Sequence, residues 1–414
     1  MLTARRPLRV AIIGAARRSD YLYGPLVKAL PGLVELVGVW GRSADSARRL
    51  GEILAVPWFT DLDRLMRETA PDIGIVSVAY GANGQVGLAA VEAGLHVLLE
   101  TPIAHDLAEA DAIIAAAQQR GRKIEVAEQF HRRPLEQIKL ALLASGLFGR
   151  VHTAFNDFAG HGYHGVSVLR SYVGFDAQPV QVTGAVQSYP LAPHWARLSD
   201  QRGARSETQE HALIEFAGGQ LGIYHWTNVG YDSPLRWWRS SRFLAEKGMG
   251  VTVGVNLEVQ EWLTLLAPGG EAPRFITLER RRERVDGGAL MAMIAHTGDP
   301  DLPQVRWDNP FRPARPGHGL QWSDDEIGVA GCLLSLVEAV QSGDEPSYGP
   351  HQARLDQEVV LAMRQSAAAG GRRGAGKPMT SAAPRWRFLL PLFIVVAGLL
   401  VDQATKWLAR DTLA

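Results

Sequence analysis

The strongest constraint on this chain is the rhythm of its first ~130 residues, in which short apolar runs alternate with helix-patterned stretches. Strands are predicted over residues 8–14, 35–40, 72–79, 95–100 and 123–130, with a further short one opening 56–68. Helices are predicted over 23–30, 43–54, 84–94 and 106–121. Ser43 is placed to cap one of them, and Gly94 and Gly121 to close two others. Strands that alternate with helices cannot pair as tight hairpins, so they lie parallel, and a parallel sheet offers its ligand crevice at the carboxyl ends of its strands.

One strand end raises a question of its own. The run "LHVLLETPIAHD", residues 95–106, stops abruptly at Glu100, Thr101 and Pro102. Proline forbids normal continuation of the strand. A carboxylate at the end of a buried strand marks either a sheet edge that simply stops or a strand that ends in a ligand cleft.

Beyond Arg133 the pattern changes. A helix over 135–146 is followed by longer alternating strands at 151–158, 180–186, 210–229 and 249–267, and then by helices over 324–343 and 352–370. Alternation with a glycine turn at Gly218-Gly219 points to a mostly antiparallel sheet with one face covered. Composition fits a folded protein of two or three domains: 46% of the 414 residues are apolar and 21% charged. With 43 basic and 43 acidic residues, no global charge points to nucleic acid. The lone Cys332 cannot form an internal disulfide, which fits a reducing cytoplasm, and no secretory signal is visible at the N-terminus.

The turn after the first strand reads "GAARRSDYLYG". Gly14 stands where a dinucleotide-binding turn needs its first glycine, while Ala16 and Ser19 hold the places of the second and third. A bland strand-to-helix turn would read the same way. At the end of the second strand Arg42 and Ser43 replace the acidic residue that holds a ribose diol. A guanidinium and a hydroxyl suit a 2′-phosphate, so NADP is favoured over NAD; a solvated surface arginine is the alternative.

In the order and spacing of its segments, the chain from about residue 8 to 370 resembles the Gfo/Idh/MocA family of NAD(P)-dependent oxidoreductases. The segments are the turn at Gly14, "DIGIVSVAYGANGQVGLAAVEAGLHVLLETPIA", "EQFHRRPLEQIKLALLASGLFGRV", "GHGYHGVSVLRSYVG", "EFAGGQLG" and "ARLDQEVVLAMRQSA". The resemblance implies an α/β fold: an N-terminal Rossmann doubly wound parallel sheet over 1–128, then an α+β domain over 129–370 with a mostly antiparallel open sheet. It implies a cleft at Glu100, where the family carries Glu-Lys-Pro beside the nicotinamide; here Thr101 supplies a hydroxyl and no charge. The family's Asp-x-Gly-x-His pattern corresponds to "GHGYHGVS", with Gly160 in place of the aspartate, Gly162 and His164 kept, and Ser167 in place of a later aspartate. His164 is the candidate acid/base, with Thr101 beside it, and His161, Tyr163 and His131 are candidates for substrate contact. Gly14, Ala16, Arg42, Ser43, Ala79, Glu100, Pro102 and Gln129 are the expected cofactor contacts, with Glu128 in the same wall.

A histidine that merely caps a helix starting near Val166 is the competing reading of His164. No third ligand accompanies His161 and His164 at metal-binding spacing, so no metal is expected. Arginines beside Trp237 and Trp238 are placed to stack on a polar ligand, or else these aromatics belong to core or interface. The implied function is hydride transfer between a nicotinamide cofactor and a sugar, cyclitol or related polyol. An NAD-dependent glycoside hydrolase of the same fold and a non-catalytic nucleotide-binding sensor stay open. A homo-oligomer built through the open sheet face is expected.

A basic linker over 371–384 precedes "FLLPLFIVVAGLLV", residues 388–401. This tail, 385–414, resembles the first membrane helix of lipoprotein signal peptidase through Asp402, Gln403, Thr405 and Lys406. A membrane anchor, a fusion and a gene-boundary artefact all give such a C-terminal hydrophobic helix. Arg385 and Arg387 would keep the main body cytoplasmic if it inserts in the inner membrane.

Overall fold

The structure is a computed structural model, and it describes residues 6–79, 81–197, 201–255, 258–282, 289–311 and 320–371. The tail singled out above lies outside the described residues. Among those described, no helix is long and apolar enough to cross a membrane.

Six parallel strands form the first sheet: β1 (Leu8–Ile13), β2 (Val34–Trp40), β3 (Trp58–Phe59), β4 (Ile73–Val76), β5 (His96–Leu99) and β6 (Ile124–Val126). Their order is β3-β2-β1-β4-β5-β6. The chain steps outward from β1 to β3, then returns to lay β4 on the other flank of β1. Turns leaving β1 and β4 therefore part in opposite directions and open a crevice between them, as a doubly wound sheet requires. The central strands are largely apolar rather than alternating, because both faces are covered: β4 is wholly buried, as are Val97, Leu98 and Leu99 of β5.

The helices begin where their caps dictate. Ser43 accepts from the Ser46 N–H at the start of α2 (Ala44–Leu54). Asp61 and Asp106 do the same for α3 (Leu62–Thr69) and α5 (Leu107–Arg120). Gly121 closes α5 in the left-handed conformation, as its place in the sequence predicts. The first helix departs from expectation. A π-helical turn over Ser19–Tyr23 precedes a short α1 (Gly24–Lys28), so Tyr23 belongs to a widened turn rather than to the start of a regular helix. Between β4 and β5 stands α4 (Asn83–Glu92).

The second sheet has ten strands where four long ones were expected. It comprises β7 (Val151–Asp157), β8 (Pro179–Ala196), β9 (Gln201–Phe216), β10 (Leu221–Thr227), β11 (Trp238–Ala245), β12 (Gly248–Val255), β13 (Glu258–Leu266), β14 (Pro273–Arg282), β15 (Leu290–His296) and β16 (Gln304–Asp308). All pairings are antiparallel except that of β7 with β10. Four helices pack here or bridge to the first sheet: α6 (Pro134–Ala144), α7 (Gly162–Val173), α8 (Asp324–Ser342) and α9 (Pro350–Ala368). Contacts run from α7 to β7 and β10, from α9 to β8, and from α8 to β5 and β6.

A fully buried ion pair locks α7 to α9. Arg170 Nη1 donates to Asp356 Oδ1 at 2.6 Å, and both side chains have no exposure. The Tyr348 hydroxyl also donates to Asp356, and Arg170 Nη2 reaches the Phe175 carbonyl at 2.6 Å. Satisfying the pair this way offsets its desolvation, whereas removing one member leaves a bare charge in the interior. Asp356→Ala is therefore expected to destabilise the fold by about 3–5 kcal/mol. The midpoint of urea unfolding measures it.

Candidate functional site

Gly14 follows β1 directly, and its φ of +119° is one that side-chain-bearing residues rarely adopt. A Cβ there would collide with the Ser77 carbonyl oxygen at the end of β4. Gly14 thus keeps the two diverging turns in backbone contact at the switch point. The third glycine position is filled differently. Ser19 is fully buried and its hydroxyl donates to the Gly14 carbonyl at 2.8 Å, while its N–H donates to Ala16 at 3.0 Å. The serine closes the turn by hydrogen bonding where a glycine would close it by compactness.

Glu100, just past β5, is the centre of a small network. Tyr23 donates its hydroxyl to Glu100 Oε1 at 2.6 Å, and Arg18 Nε lies against the same oxygen. The Thr101 N–H donates to Glu100 Oε2 at 3.2 Å. The Asn83 amide, 2% exposed, donates to the carbonyls of Glu100 at 3.1 Å, Thr101 at 3.3 Å and Pro102 at 3.4 Å. One side chain on α4 therefore fixes the backbone of all three residues that end the strand. The question raised by the sequence has a structural answer: the carboxylate gathers groups from the Gly14 turn at the mouth of the crevice. Ala79 lies exposed beyond β4. Arg42 is exposed at the end of β2, and Ser43 beside it is engaged as the cap of α2.

Across from this strand end stands His164. The helix carrying it starts at Gly162, not near Val166, so His164 lies inside the first turn of α7 and is not its cap. Its Nδ1 meets Glu128 Oε2 at 2.5 Å; the histidine is 6% exposed and the carboxylate fully buried. Phe130 stacks on the imidazole at a 4.3 Å centroid distance, and its N–H donates to Glu128 Oε1 at 3.1 Å. With Nδ1 committed to the carboxylate, Nε2 is left as the working nitrogen.

The turn before α7 explains Gly160. A Cβ there would stand 2.8 Å from the Gly165 nitrogen and 2.9 Å from the His164 carbonyl carbon, so the larger residue of the family pattern does not fit this backbone. Asn156 clamps the turn instead, donating to the Gly160 carbonyl at 2.9 Å and accepting its N–H at 2.8 Å. Tyr224 accepts the Gly162 N–H at 2.7 Å, and Ser167 donates to the His164 carbonyl at 3.0 Å.

Around His164 the structure gathers Tyr163 at 4.5 Å and His161 at 4.8 Å between ring centroids. His161 Nδ1 lies 3.3 Å from the Tyr231 hydroxyl, and its ring leans on Trp226 and Tyr231. Sequence reasoning missed Trp226 and Tyr231, while Arg239 is one of the arginines it placed beside Trp237 and Trp238. The Arg239 guanidinium stacks over the Trp226 and Tyr231 rings, not over Trp237 or Trp238. Trp238 is exposed and donates to Asp157 at 3.1 Å. His131 stands apart from this group, buried edge-on to Phe175 and tilted against Tyr348, and burial with Arg132 and Arg170 nearby holds it neutral. Gln129 donates to Asp325 at 3.4 Å, and its own amide oxygen is buried without a partner. Asp325 also pairs with Arg133 at 2.8 Å, whose guanidinium lies 3.9 Å over the Phe130 ring.

Burial, with His164 adding to it, pushes His161 down to about 4 from its ordinary 6.5. The unfolded chain therefore takes up a proton below about pH 6.5 that the folded form refuses until about pH 4. Stability owed to neutral His161 is complete above 6.5 and is lost as pH falls through 4. His161→Gln should accordingly shrink the drop in the urea midpoint between pH 7.5 and pH 5. An undiminished drop would show that His161 titrates normally.

Comparison with known proteins agrees with this geometry. Residues 8–128 match the family described as an oxidoreductase family with an NAD-binding Rossmann fold. YceM of Salmonella typhimurium, a protein bearing an oxidoreductase name, is 28% identical over 368 residues, 87% of this chain and 99% of that one. An uncharacterized oxidoreductase of Schizosaccharomyces pombe is 26% identical over 122 residues, which span 29% of this chain and 33% of its own length. The WlbA dehydrogenase of Bordetella pertussis, solved in complex with NADH and UDP-GlcNAcA, has a similar fold. Its TM-score is 0.60 at 17% identity, covering 88% of this chain and 98% of WlbA.

Proposed function

We propose that this chain, an oxidoreductase of the Gfo/Idh/MocA family, oxidises or reduces a hydroxyl-bearing carbon of a sugar, cyclitol or related polyol with His164 as the acid/base. In this reading residues 1–128 hold the cofactor, and residues 129–370 hold the substrate and the subunit contact. The observation that carries it is the His164–Glu128 pair, buried and 2.5 Å apart, with Nε2 unassigned. A polar wall of His161, Tyr163 and Tyr231 suits a ligand rich in hydroxyls, each able to donate or accept. The WlbA complex, with a nucleotide sugar in a protein of this fold, supports the same substrate class.

The residues fit a nicotinamide dinucleotide. Gly14 leaves the backbone bare at the switch point, and the turn after β1 stands at the mouth of the crevice. Gly14, Ala16 and Ser19 would border the pyrophosphate, Glu100 and Pro102 the nicotinamide, and Ala79 the far side. Exposed Arg42, free of ion pairs among the described residues, favours a 2′-phosphate and hence NADP. Bound there, the cofactor supplies the hydride acceptor or donor. The protein does the rest: Glu128 holds Nδ1 of His164, so that Nε2 takes the substrate hydroxyl proton in oxidation and returns it in reduction. Phe130, stacked on the imidazole, shields one of its faces from water.

His164→Ala should lower turnover on a sugar and polyol panel by about 10²–10⁴-fold while nicotinamide fluorescence titration shows nearly unchanged cofactor affinity. Turnover that survives the substitution removes His164 from the chemistry.

The uncovered face of the ten-stranded sheet supports a homo-oligomer. Leu213, Ile223, Trp262 and Phe275 are exposed, Phe275 by 70%. A patch of this kind is buried by association with a second copy. Phe275→Asp combined with Trp262→Asp should reduce the sedimenting mass to that of one chain, whereas an unchanged mass places the contact elsewhere.

A further inference from the structure

The strand end at Glu100 carries a carboxylate and, at position 101, a threonine that has no charge to set against it. A hydroxyl losing its proton beside such a carboxylate would develop a second negative charge there, which is unfavourable in a partly buried site. The compensating charge comes from elsewhere in the chain. Arg18 lies in the turn after β1, and its Nε rests against Glu100 Oε1. Its side chain is 29% exposed, against 12% for Glu100. Arg18 Nε and Nη2 are both buried without a hydrogen-bond partner, so the contact with Glu100 is an ion pair rather than a hydrogen bond. Neighbouring Arg17 is exposed, so burial is particular to one of two adjacent arginines.

We propose that Arg18 supplies the positive charge of the reacting centre that position 101 lacks. The inference rests on the hydride-transfer reading above and names a residue that reading does not need. A guanidinium has five N–H donors, and here neither Nε, which lies against the carboxylate, nor Nη2 has a hydrogen-bond acceptor. A surface strut would satisfy its buried nitrogens within the protein. This side chain instead holds two donors without acceptors beside Glu100. Tyr23 completes the arrangement: its hydroxyl occupies the same Glu100 oxygen at 2.6 Å, and its ring lies 6.0 Å from the Arg18 guanidinium. Burial alone would lower the Arg18 pKa. Tyr23, Glu100 and Asp325 outweigh it, and the guanidinium is held charged. In oxidation His164 Nε2 would take the hydroxyl proton, a bound nicotinamide would supply the hydride acceptor, and the negative charge left on that oxygen would be set against the Arg18 guanidinium.

Three variants test this: Arg18→Met, Arg18→Lys and the double variant Arg18→Met/Thr101→Lys. For each, the oxidised and reduced forms of whichever nicotinamide dinucleotide the wild type binds are titrated separately, and turnover is measured. The oxidised ring is cationic and the reduced ring neutral. Arg18→Met exposes Glu100 to the ring, so the ratio of oxidised to reduced Kd should fall about tenfold. Turnover should fall about 100-fold or more. Arg18→Lys should stay close to wild type, and Thr101→Lys in the Met background should restore the ratio and much of the turnover. Equal weakening of both forms would make Arg18 a phosphate ligand instead. An unmoved ratio with only a lower Tm would make it a structural strut, and either result overturns the proposal. A wild type that binds neither form overturns the function itself, a result distinct from a bound cofactor whose ratio does not move.

Discussion

Glu100 is the interaction on which the site depends. A carboxylate at the end of β5 is met by the Tyr23 hydroxyl and the Arg18 guanidinium, both from the turn that follows β1. That contact ties the first βα turn to a strand two places away in the sheet, across the crevice opened by the switch in strand order. Asn83 then fixes the backbone of Glu100, Thr101 and Pro102 from the other side. The floor of the crevice is thereby set by side chains of both polarities rather than by packing alone.

The opposite wall is built on the same principle of satisfied polar groups. Glu128 follows β6, and His164 opens α7 on the covered face of the second sheet. Their pairing ties the segment after β6 to the first turn of α7. Asn156 and Tyr224, one residue on each of two paired strands, hold the turn that delivers His164. Behind them the Arg170–Asp356 pair prevents α7 from sliding on α9. Each of these buried polar groups costs desolvation and is offset only by its partners, so the geometry is over-determined around the imidazole.

Much of this was legible in the sequence, for a definite reason. The parallel half announces itself through strand and helix periods that differ, and through caps such as Ser43 and Gly121 that act locally. His164, Glu128 and Glu100 could each be singled out as residues, because their types and motif positions are visible in a linear chain. Their partnerships could not. Arg18 and Tyr23 reach Glu100 from far upstream, and nothing local to "ARRSDYLY" says which arginine turns inward. The antiparallel half was undercounted where strands mix exposed charge with few apolar residues, as in "PRFITLERRR" of β14 and "QVRWD" of β16. Such strands are held by their neighbours' hydrogen bonds more than by their own hydrophobic pattern. The expected first helix begins only at residue 23 and leaves the π-helical turn over Ser19–Tyr23 inside the glycine turn, because the Ser19 hydroxyl bond to Gly14 has no local sequence signal.

The central claim is that the crevice between the turns after β1 and β4 accepts a pyridine nucleotide with its ring toward Glu100 and His164. Titration of the full chain with reduced nicotinamide dinucleotides, followed by the rise in nicotinamide fluorescence on leaving water, tests it most directly. The account predicts saturable enhancement well below millimolar concentration. A flat signal through the millimolar range with both NADH and NADPH would contradict it.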